Sequence, residues 1–468
     1  MGKLNTVYAK LPTLTQHLAV STYGLYWNWL RFGSGYKRFE KEYVEREKWS
    51  EQEWKRWQLH RLQTLLPLAA NHVPYYRDTW TPEEKRAAQN GQLEALPLLE
   101  KTPLRKFPKL FLREDMHPRP CLTFHTSGST GTPIESIWTV QEVRNSLALR
   151  EVRSARWAGV SFKMPRATFS GRMVEPEPDS SGPYYRFNLF ERQVYFSPFH
   201  LRPDTAYFYV EALRRHNIQW MTGYAVSYYL LAKFILEQGL DVPKIKSIIT
   251  TSEKVTPTMR RVMEKAYGAR VFEEYSTVEN VVFASECEYG CLHVSPDAGV
   301  VEILRPDGIP CDLGEVGEVV ATCLMRDYHP LIRFRLGDLA AWDPDPCPCN
   351  RAMPVLREVV GRVEDVVIGL DGRQMVRFHG IFVNQPHVIE GQIIQESLNL
   401  VRVKVVPTKE FSPHDIQDII DRMHQRLGSR VEILVETVQH IPRTPAGKFR
   451  AVVSMLSPEQ INSLNHNP

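Results

Sequence analysis

A chain of 468 residues exceeds what one hydrophobic core organises well, so two or three domains within one large body are expected. Its 43% hydrophobic and 24% charged residues are those of an ordinary soluble globular protein and exclude the disordered and fibrous classes. A net charge of +4 over that length gives neither a concentrated basic field nor a polybasic tail, which sets nucleic acid aside as a partner.

The sequence does not open with a basic segment followed by an apolar run and a small-residue cleavage site, so a cytoplasmic protein is expected. Leu11–Leu30, LPTLTQHLAVSTYGLYWNWL, holds no charged residue and is as long as a membrane span. Proline, threonine, glutamine, histidine, asparagine and serine interrupt it too often for a bilayer helix, so no transmembrane segment is expected. Leu25, Tyr26, Trp29 and Leu30 read as packing on the protein's own body. Peripheral membrane attachment through an aromatic surface is the sharper alternative.

Residues 36–80 are strongly charged with interleaved tryptophans. Ser50 and Glu53 stand in capping-box spacing, and Leu59, Leu62, Leu65, Leu66 and Ala69 then recur on one helical face. A proline-rich linker follows from Leu96, so residues 1–115 form a helical N-terminal region and linker. The run TSGSTG, Thr126 to Gly131, comes next. Thr139 and Glu142 make a second capping box, opening a helix to about Trp157. Short β-rich runs such as KIKSIITTSE then alternate with helical ones such as VSYYLLAKFILEQG, which predicts βα units and a largely parallel sheet. From Val294 short strands with glycine turns predict a separate antiparallel subdomain or barrel, near 294–356. Gly361 marks a boundary, dividing a core over 116–360 from a small αβ domain over 361–468.

Glycines in TSGSTG let backbone N–H groups approach a polyphosphate while the hydroxyls donate further hydrogen bonds. No Lys-Ser/Thr pair follows the glycines, so the Walker pattern is not met. Downstream, FEEYSTVEN places Tyr275 four residues before Glu279, RFRLGDLA presents Arg335 and Asp338, GRVED supplies Arg362, and PRTPAGKFR supplies Lys448. In this order and spacing the set resembles the motif series of the adenylate-forming enzymes, which activate carboxylates with ATP. Within them the phrases ANHVPYYR and HTSGSTGTP look like the phenylacetate-CoA ligase family and its CapK-like relatives in capsular polysaccharide clusters.

The resemblance implies an α/β fold with a large N-terminal body of mostly parallel sheets, a small β-rich subdomain, and a small mobile α+β C-terminal domain. It implies that Thr126, Ser127, Gly128, Ser129, Thr130 and Gly131 grip the β- and γ-phosphates, and that Glu279 helps hold Mg2+, which needs few protein ligands. Tyr275 would lie against adenine, with Glu273 accepting from its amine. Asp338 suits the ribose hydroxyls, joined by Arg362. Lys448 would neutralise the α-phosphate and the attacking carboxylate, making Lys448, Glu279 and Thr130 the catalytic set. Gly223, Tyr224 and Ala225 match the segment lining the acid pocket. Singly, each has a structural rival: Tyr275 a core aromatic, Asp338 a turn cap after Gly337, Lys448 a solvated lysine.

Two departures stand out. Ser276 and Val278 replace the glycine and hydroxyl residue usual around this glutamate, so that Thr277 is the candidate to take over the phosphate contact. Glu364 replaces the usual hinge aspartate. The implied activity is activation of an acid, aryl by family likeness, to an acyl adenylate and transfer to coenzyme A. Transfer to an amine or hydroxyl, and a non-catalytic nucleotide-binding descendant, are the alternatives. The expected partners are a small-molecule carboxylic acid and nucleotide; the oligomeric state is open, a homodimer included.

Seven cysteines are not spaced as a disulfide framework. Cys287, Cys291 and His293 in ECEYGCLHV and Cys347 and Cys349 in DPCPCNR form two knuckles that, brought together, would make a tetrahedral site of soft ligands. Some relatives carry a similar cluster. Cys287, His293, Cys347 and Cys349 are the candidate ligands of a structural Zn2+, with Cys291 spare; unlinked reduced thiols are the plain alternative.

Overall fold

The structure, a computed structural model, describes residues 8, 11–126, 134–172, 174–175, 181–362, 367–370, 374–375, 381–382, 385–443 and 449–457. The chain divides into two compact units. One comprises residues up to 336 together with 340–359; the other comprises 337–339 and 360–468.

The first unit opens with helices α1 (Thr13–Phe32), α2 (Tyr36–Arg46) and α3 (Glu51–His72). The capping box before α3 forms. Ser50 Oγ accepts from Glu53 N at 3.3 Å and Glu53 Oε2 accepts from Ser50 N at 2.8 Å, which satisfies donors the first turn would leave open. Leu62, Leu65, Leu66 and Ala69 enter the main core with Tyr76, Val319, Ala321 and Phe334. Leu59 is exposed, because it lies roughly 70° from the centre of that stripe at 100° per residue. Tyr76 is buried with its hydroxyl doubly used, donating to Pro330 O at 3.2 Å and accepting from Ile332 N at 3.1 Å.

At α1 the expected packing is corrected. Leu30 is fully buried, but Leu25, Tyr26 and Trp29 are exposed. The inward side is formed by Gln16, Ser21, Gly24, Trp27 and Leu30. Polar partners on the neighbouring strand, Arg186 among them, select polar residues for that side.

Strands β1 (Cys121–His125) and β2 (Glu135–Thr139) form an antiparallel hairpin, followed by α4 (Val140–Arg150) and its capping box on Thr139 and Glu142. A π-helical turn, Glu151–Ala155, extends α4. There the buried Arg153 pairs with the buried Asp297, Nη2 to Oδ2 at 2.9 Å.

Behind the hairpin stands a twelve-stranded sheet. Its strands are β3 (Arg166–Phe169), β4 (Tyr185–Asn188), β5 (Gln193–Phe196), β6 (Trp220–Tyr224), β7 (Ser247–Thr251), β8 (Arg270–Ser276), β9 (Phe283–Glu286), β10 (Leu292–Val294), β11 (Gly299–Leu304), β12 (Gly317–Cys323), β13 (Phe334–Trp342) and β14 (Val355–Arg362). Their order is β11-β12-β13-β14-β10-β9-β8-β7-β6-β3-β5-β4. The run β5-β3-β6-β7-β8 is parallel, and its central strands are buried and apolar, as sheets covered on both faces require. Helices α5 (Ala206–Arg215), α6 (Ala225–Gln238) and α7 (Pro257–Tyr267) connect successive strands of this run. The glycine-rich strands do not close separately. β9 pairs antiparallel with β8, and β10 to β14 extend the same sheet, completing a ladder that β8 would otherwise leave open.

In the second unit, β17 (Val388–Ser397), β18 (Leu400–Pro407), β19 (Glu432–Thr437) and β20 (Val452–Ser454) form a sheet in the order β19-β18-β17-β20, preceded by the short pair β15 (Val367–Ile368) and β16 (Gln374–Met375). Val401, Val403 and Val405 alternate with more exposed positions along β18. They pack with Ile419, Met423 and Leu427 of α8 (Pro413–Leu427), spaced four apart on one helical face.

Candidate functional site

Of the hydroxyl-glycine run, Thr126 and Ile134 are described. Ser127, Gly128, Ser129, Thr130 and Gly131 lie outside the described residues. The neck is closed twice over: Thr126 N donates to Ile134 O at 3.1 Å, and Thr126 Oγ1 accepts from Ile134 N at 2.9 Å. Thr126 and Ile134 therefore stand paired just beyond the last β1–β2 pair, His125 with Glu135.

The parallel strands bring their carboxyl ends together, the edge of an open α/β sheet where ligands bind. Phe169, Gly223, Thr250 and Glu273 stand in one register row, and Tyr224, Thr251 and Glu274 in the next. Gly223 has φ 128° and lies against Phe169 O. Tyr224 caps the start of α6, buried, with burial pushing its hydroxyl up to about 12. Ala225 is fully buried. Glu253 Oε2 accepts from Val226 N at 2.9 Å, a carboxylate at a helix N-terminus.

Tyr275 ends the same row system, partly buried against the main core. After it the chain turns. Asn280, at φ 56°, donates its N–H to Thr277 O at 3.0 Å, which leaves Glu279 buried and Thr277 Oγ1 buried with no hydrogen-bond partner among the described residues. The turn is anchored by Arg326, whose Nη1 donates to Glu279 O at 3.0 Å and to Ser136 Oγ at 2.8 Å and whose Nη2 donates to Ile137 O. The guanidinium lies 4.6 Å from the Trp138 ring centroid. One side chain thus ties β2, which leads out of the hydroxyl-glycine run, to the turn that carries Glu279.

Glu273 is engaged elsewhere. Its Oε1 accepts from Arg260 Nη2 at 2.8 Å and its Oε2 from Val255 N at 3.3 Å, while Arg260 also reaches Glu286 at 2.8 Å. Burial raises the Glu273 carboxyl against the pull of Arg260 and pushes Glu286 up to about 7. Asp338 is buried in β13 after Gly337, which has φ 69°. Arg362 closes β14. Lys448 and Glu364 lie outside the described residues.

The four candidate metal ligands converge. The ligand atoms of Cys287, His293, Cys347 and Cys349 all lie within 4.8 Å of one another. Cys287 Sγ is 3.6 Å from Cys347 Sγ, and Cys349 Sγ is 3.2 Å from His293 Nε2. Tyr289 N, Cys349 N and Arg351 N point at Cys287, Cys347 and Cys349 sulfurs at 3.3, 3.5 and 3.5 Å. His293 Nδ1 meets Met353 O at 3.1 Å, the outer contact that fixes the ring of a metal-bound histidine. Antiparallel pairing of β10 with β14 sets His293 beside Val355 and so joins the two knuckles. Cys291 packs at the edge of the cluster. Three thiols and one imidazole at this spacing fit a tetrahedral zinc site.

Residues 373–455 match the family model of the CapK C-terminal domain. Over 340 residues the chain is 23% identical to protein CapK of Staphylococcus aureus, covering 70% of this chain and 73% of that one. Over 450 residues it is 21% identical to phenylacetate-coenzyme A ligase of Thermus thermophilus, covering 85% of this chain and 96% of that one. The chain is similar to CapK and to the phenylacetate-CoA ligases. The crystal structure of 2-hydroxyisobutyryl-CoA ligase in the postadenylation state with R3-HIB-AMP matches this CapK-like chain with a TM-score of 0.67 at 21% identity, covering 90% of this chain and 93% of that one. The anthranilate CoA ligase AuaEII with anthranoyl-AMP matches with a TM-score of 0.51 at 14% identity, covering 72% and 67%. These likenesses fix the fold of the CapK-like chain as that of adenylate-forming CoA ligases, an α/β body with a small C-terminal domain.

Two arrangements in this CapK-like chain gave no sequence signal: Arg326 behind Glu279, and the Glu273–Arg260–Glu286 network. A buried arginine reads like a solvated one until its partners are known, since arginines are mostly exposed.

Proposed function

We propose that the protein activates a carboxylic acid with ATP and passes the acyl group to a thiol, that of coenzyme A, with an aryl acid as substrate, in the cytoplasm. In the first step a carboxylate oxygen bonds to the α-phosphorus, the bond from that phosphorus to the bridging oxygen breaks, and pyrophosphate leaves. In the second the thiol bonds to the acyl carbon, its proton is lost, and AMP departs.

The observation that carries the reading is the Thr277 hydroxyl, buried with no partner among the described residues and two positions before the buried Glu279. A buried polar group left unmatched is costly unless a ligand completes it, and a phosphate oxygen does so. Glu279 would hold Mg2+, which draws charge from the phosphates. Ser127, Gly128, Ser129, Thr130 and Gly131 would donate to the β- and γ-phosphates from the hairpin tip, with Thr126 as its base. Tyr275 would lie along adenine, Asp338 and Arg362 would take the ribose, Lys448 would neutralise the α-phosphate, and the Gly223–Ala225 segment would border the acid. Glu273 would accept from the adenine amine beside its bonds to Arg260 and Val255.

The test is pyrophosphate release from the purified protein with ATP and Mg2+ across aryl and aliphatic acids, with and without coenzyme A. Acid-dependent release that rises with coenzyme A is expected, and Lys448→Ala should abolish it while retaining ATP binding. Thr277→Val should slow it about 10²-fold, the scale of losing one preorganised donor. Release indifferent to coenzyme A would move the acceptor to an amine or hydroxyl. Silence across the acids with ATP still bound would favour a non-catalytic descendant, which Ser276 and Val278 motivate.

We also infer a structural zinc on Cys287, His293, Cys347 and Cys349. It would supply cross-linking, with no position open for chemistry. Elemental analysis should find zinc in the wild type and lose it in Cys347→Ser/Cys349→Ser; a metal-free wild type purified under reducing conditions would refute the site.

A further inference from the structure

Helix α1 turns much of its apolar surface outward. Beside Gly24, Trp27 and Leu30, its inward residues include hydrogen-bonding ones. Gln16 Oε1 accepts from Arg186 Nε at 2.6 Å, Ser21 Oγ accepts from Leu189 N at 3.1 Å, and His17 Nδ1 accepts from Phe187 N at 2.9 Å. At Gly24 a Cβ would lie 2.1 Å from the Asn188 side chain, so the Asn188 amide of β4 fills the space beside this glycine. The outward side carries Leu14, Leu18, Leu25 and Trp29, exposed by 84%, 66%, 50% and 62%. A helix that stabilised only its own body would turn these three leucines and this tryptophan inward as well.

The outward residues form one strip, because 14, 18, 25 and 29 fall within about 60° of one another at 100° per residue. From Leu14 to Trp29 it runs about 22 Å at 1.5 Å per residue. Leu11–Leu30 contains no charge. Among the described residues no helix is long and apolar enough to cross a membrane. Tyr26 is exposed beside the strip, its ring centroid 6.4 Å from that of Trp29, an amphipathic ring of the kind that settles at the headgroup level.

The flank supplies the charge. The β4–β5 turn, held to α1 through Ser21, exposes Leu189 and Phe190. Beside Phe190 a cleft of about 280 Å³ has Lys163, Arg166 and Arg192 in its lining against a single carboxylate, Glu191. That carboxylate is already held by Arg31 at 2.7 Å and Arg166 at 3.4 Å, so the exposed Lys163 and Arg192 give the rim a positive sign.

We propose that α1 seats the protein on an anionic bilayer surface, its Leu14–Trp29 strip entering the headgroup–acyl boundary while Lys163 and Arg192 meet lipid phosphates. An apolar helix face joined to a cationic rim is what such a surface takes. A second copy docked by the same patch would be isologous, and the cationic rim would then find no opposite charge in its own mirror.

The full chain should float with phosphatidylglycerol–phosphatidylcholine vesicles, stay behind with phosphatidylcholine alone, and release as salt rises. Leu18→Glu/Leu25→Glu should lower its partition at least about tenfold, with an unchanged thermal transition. Lys163→Ala/Arg192→Ala should lower it about tenfold and flatten the salt dependence. A wild type that floats with neither vesicle overturns the proposal. So does equal flotation of the Leu18→Glu/Leu25→Glu variant. A dimer in solution that this variant turns into monomer, with no vesicle binding by the wild type, would assign the strip to a second copy instead.

Discussion

A methyl group at position 223 has no room. The added Cβ would lie 1.9 Å from Phe169 O, at a backbone φ of 128° that side-chain-bearing residues rarely adopt. Gly223→Ala is expected to cost about 3 kcal/mol, combining strain and overpacking, read as a lower denaturant midpoint; an unchanged midpoint would deny the close approach of β3 and β6. Arg326→Met should cost a similar amount, about 3 kcal/mol, by stranding the acceptors at Glu279, Ser136 and Ile137. It should also slow pyrophosphate release at temperatures where the variant remains folded, because β2 and the Glu279 turn lose their shared anchor. Gly223 was legible as a motif residue, but the carbonyl that forbids a side chain there comes from a strand 54 positions earlier in the chain. Arg326 was not legible, since nothing local distinguishes it from the other arginines.

At the level of elements, β4 and α1 meet around His216, whose ring stacks on Phe187 at 4.0 Å. Burial, then the charges of Arg215 and His17, push its pKa down to about 4 from 6.5. The neutral form is the folded one, so this site's stabilisation is present above pH 6.5 and is lost as pH falls towards 4. The loss is of order 1–3 kcal/mol after allowance for partial solvent exposure. His216→Phe should keep the stack and flatten the decline of the denaturant midpoint over that range; an unaltered slope would place the acid sensitivity elsewhere. The capping boxes at Ser50 and Thr139 were legible because their signal is contained within four residues. The orientation of α1 was not. Periodicity tells which residues share a face, whereas the direction that face turns is decided by Arg186, 170 residues away from Gln16.

Across the whole molecule, strand content could be read from the glycine-punctuated runs after Val294, but their continuity with the parallel sheet could not. That continuity rests on β9 pairing with β8, a match between edges rather than a property of either strand. The Cys/His cluster sits within this extension, so, with the proposed zinc bound there, chelation should lower the thermal midpoint of the wild type and leave Cys347→Ser/Cys349→Ser unmoved; equal response of both would dissociate the effect from these cysteines. The two knuckles also have a topological consequence. Cys287 and Cys347 are 60 residues apart, and β10, β11, β12 and β13, with Asp338, are strung between them. With a metal bridging the knuckles, the unfolded chain would be a lasso whose noose contains those four strands. Closing a noose of that size removes about 4 kcal/mol of chain entropy by the relation used for cross-links, so the strand bearing Asp338 would begin each refolding attempt already tethered at both sides.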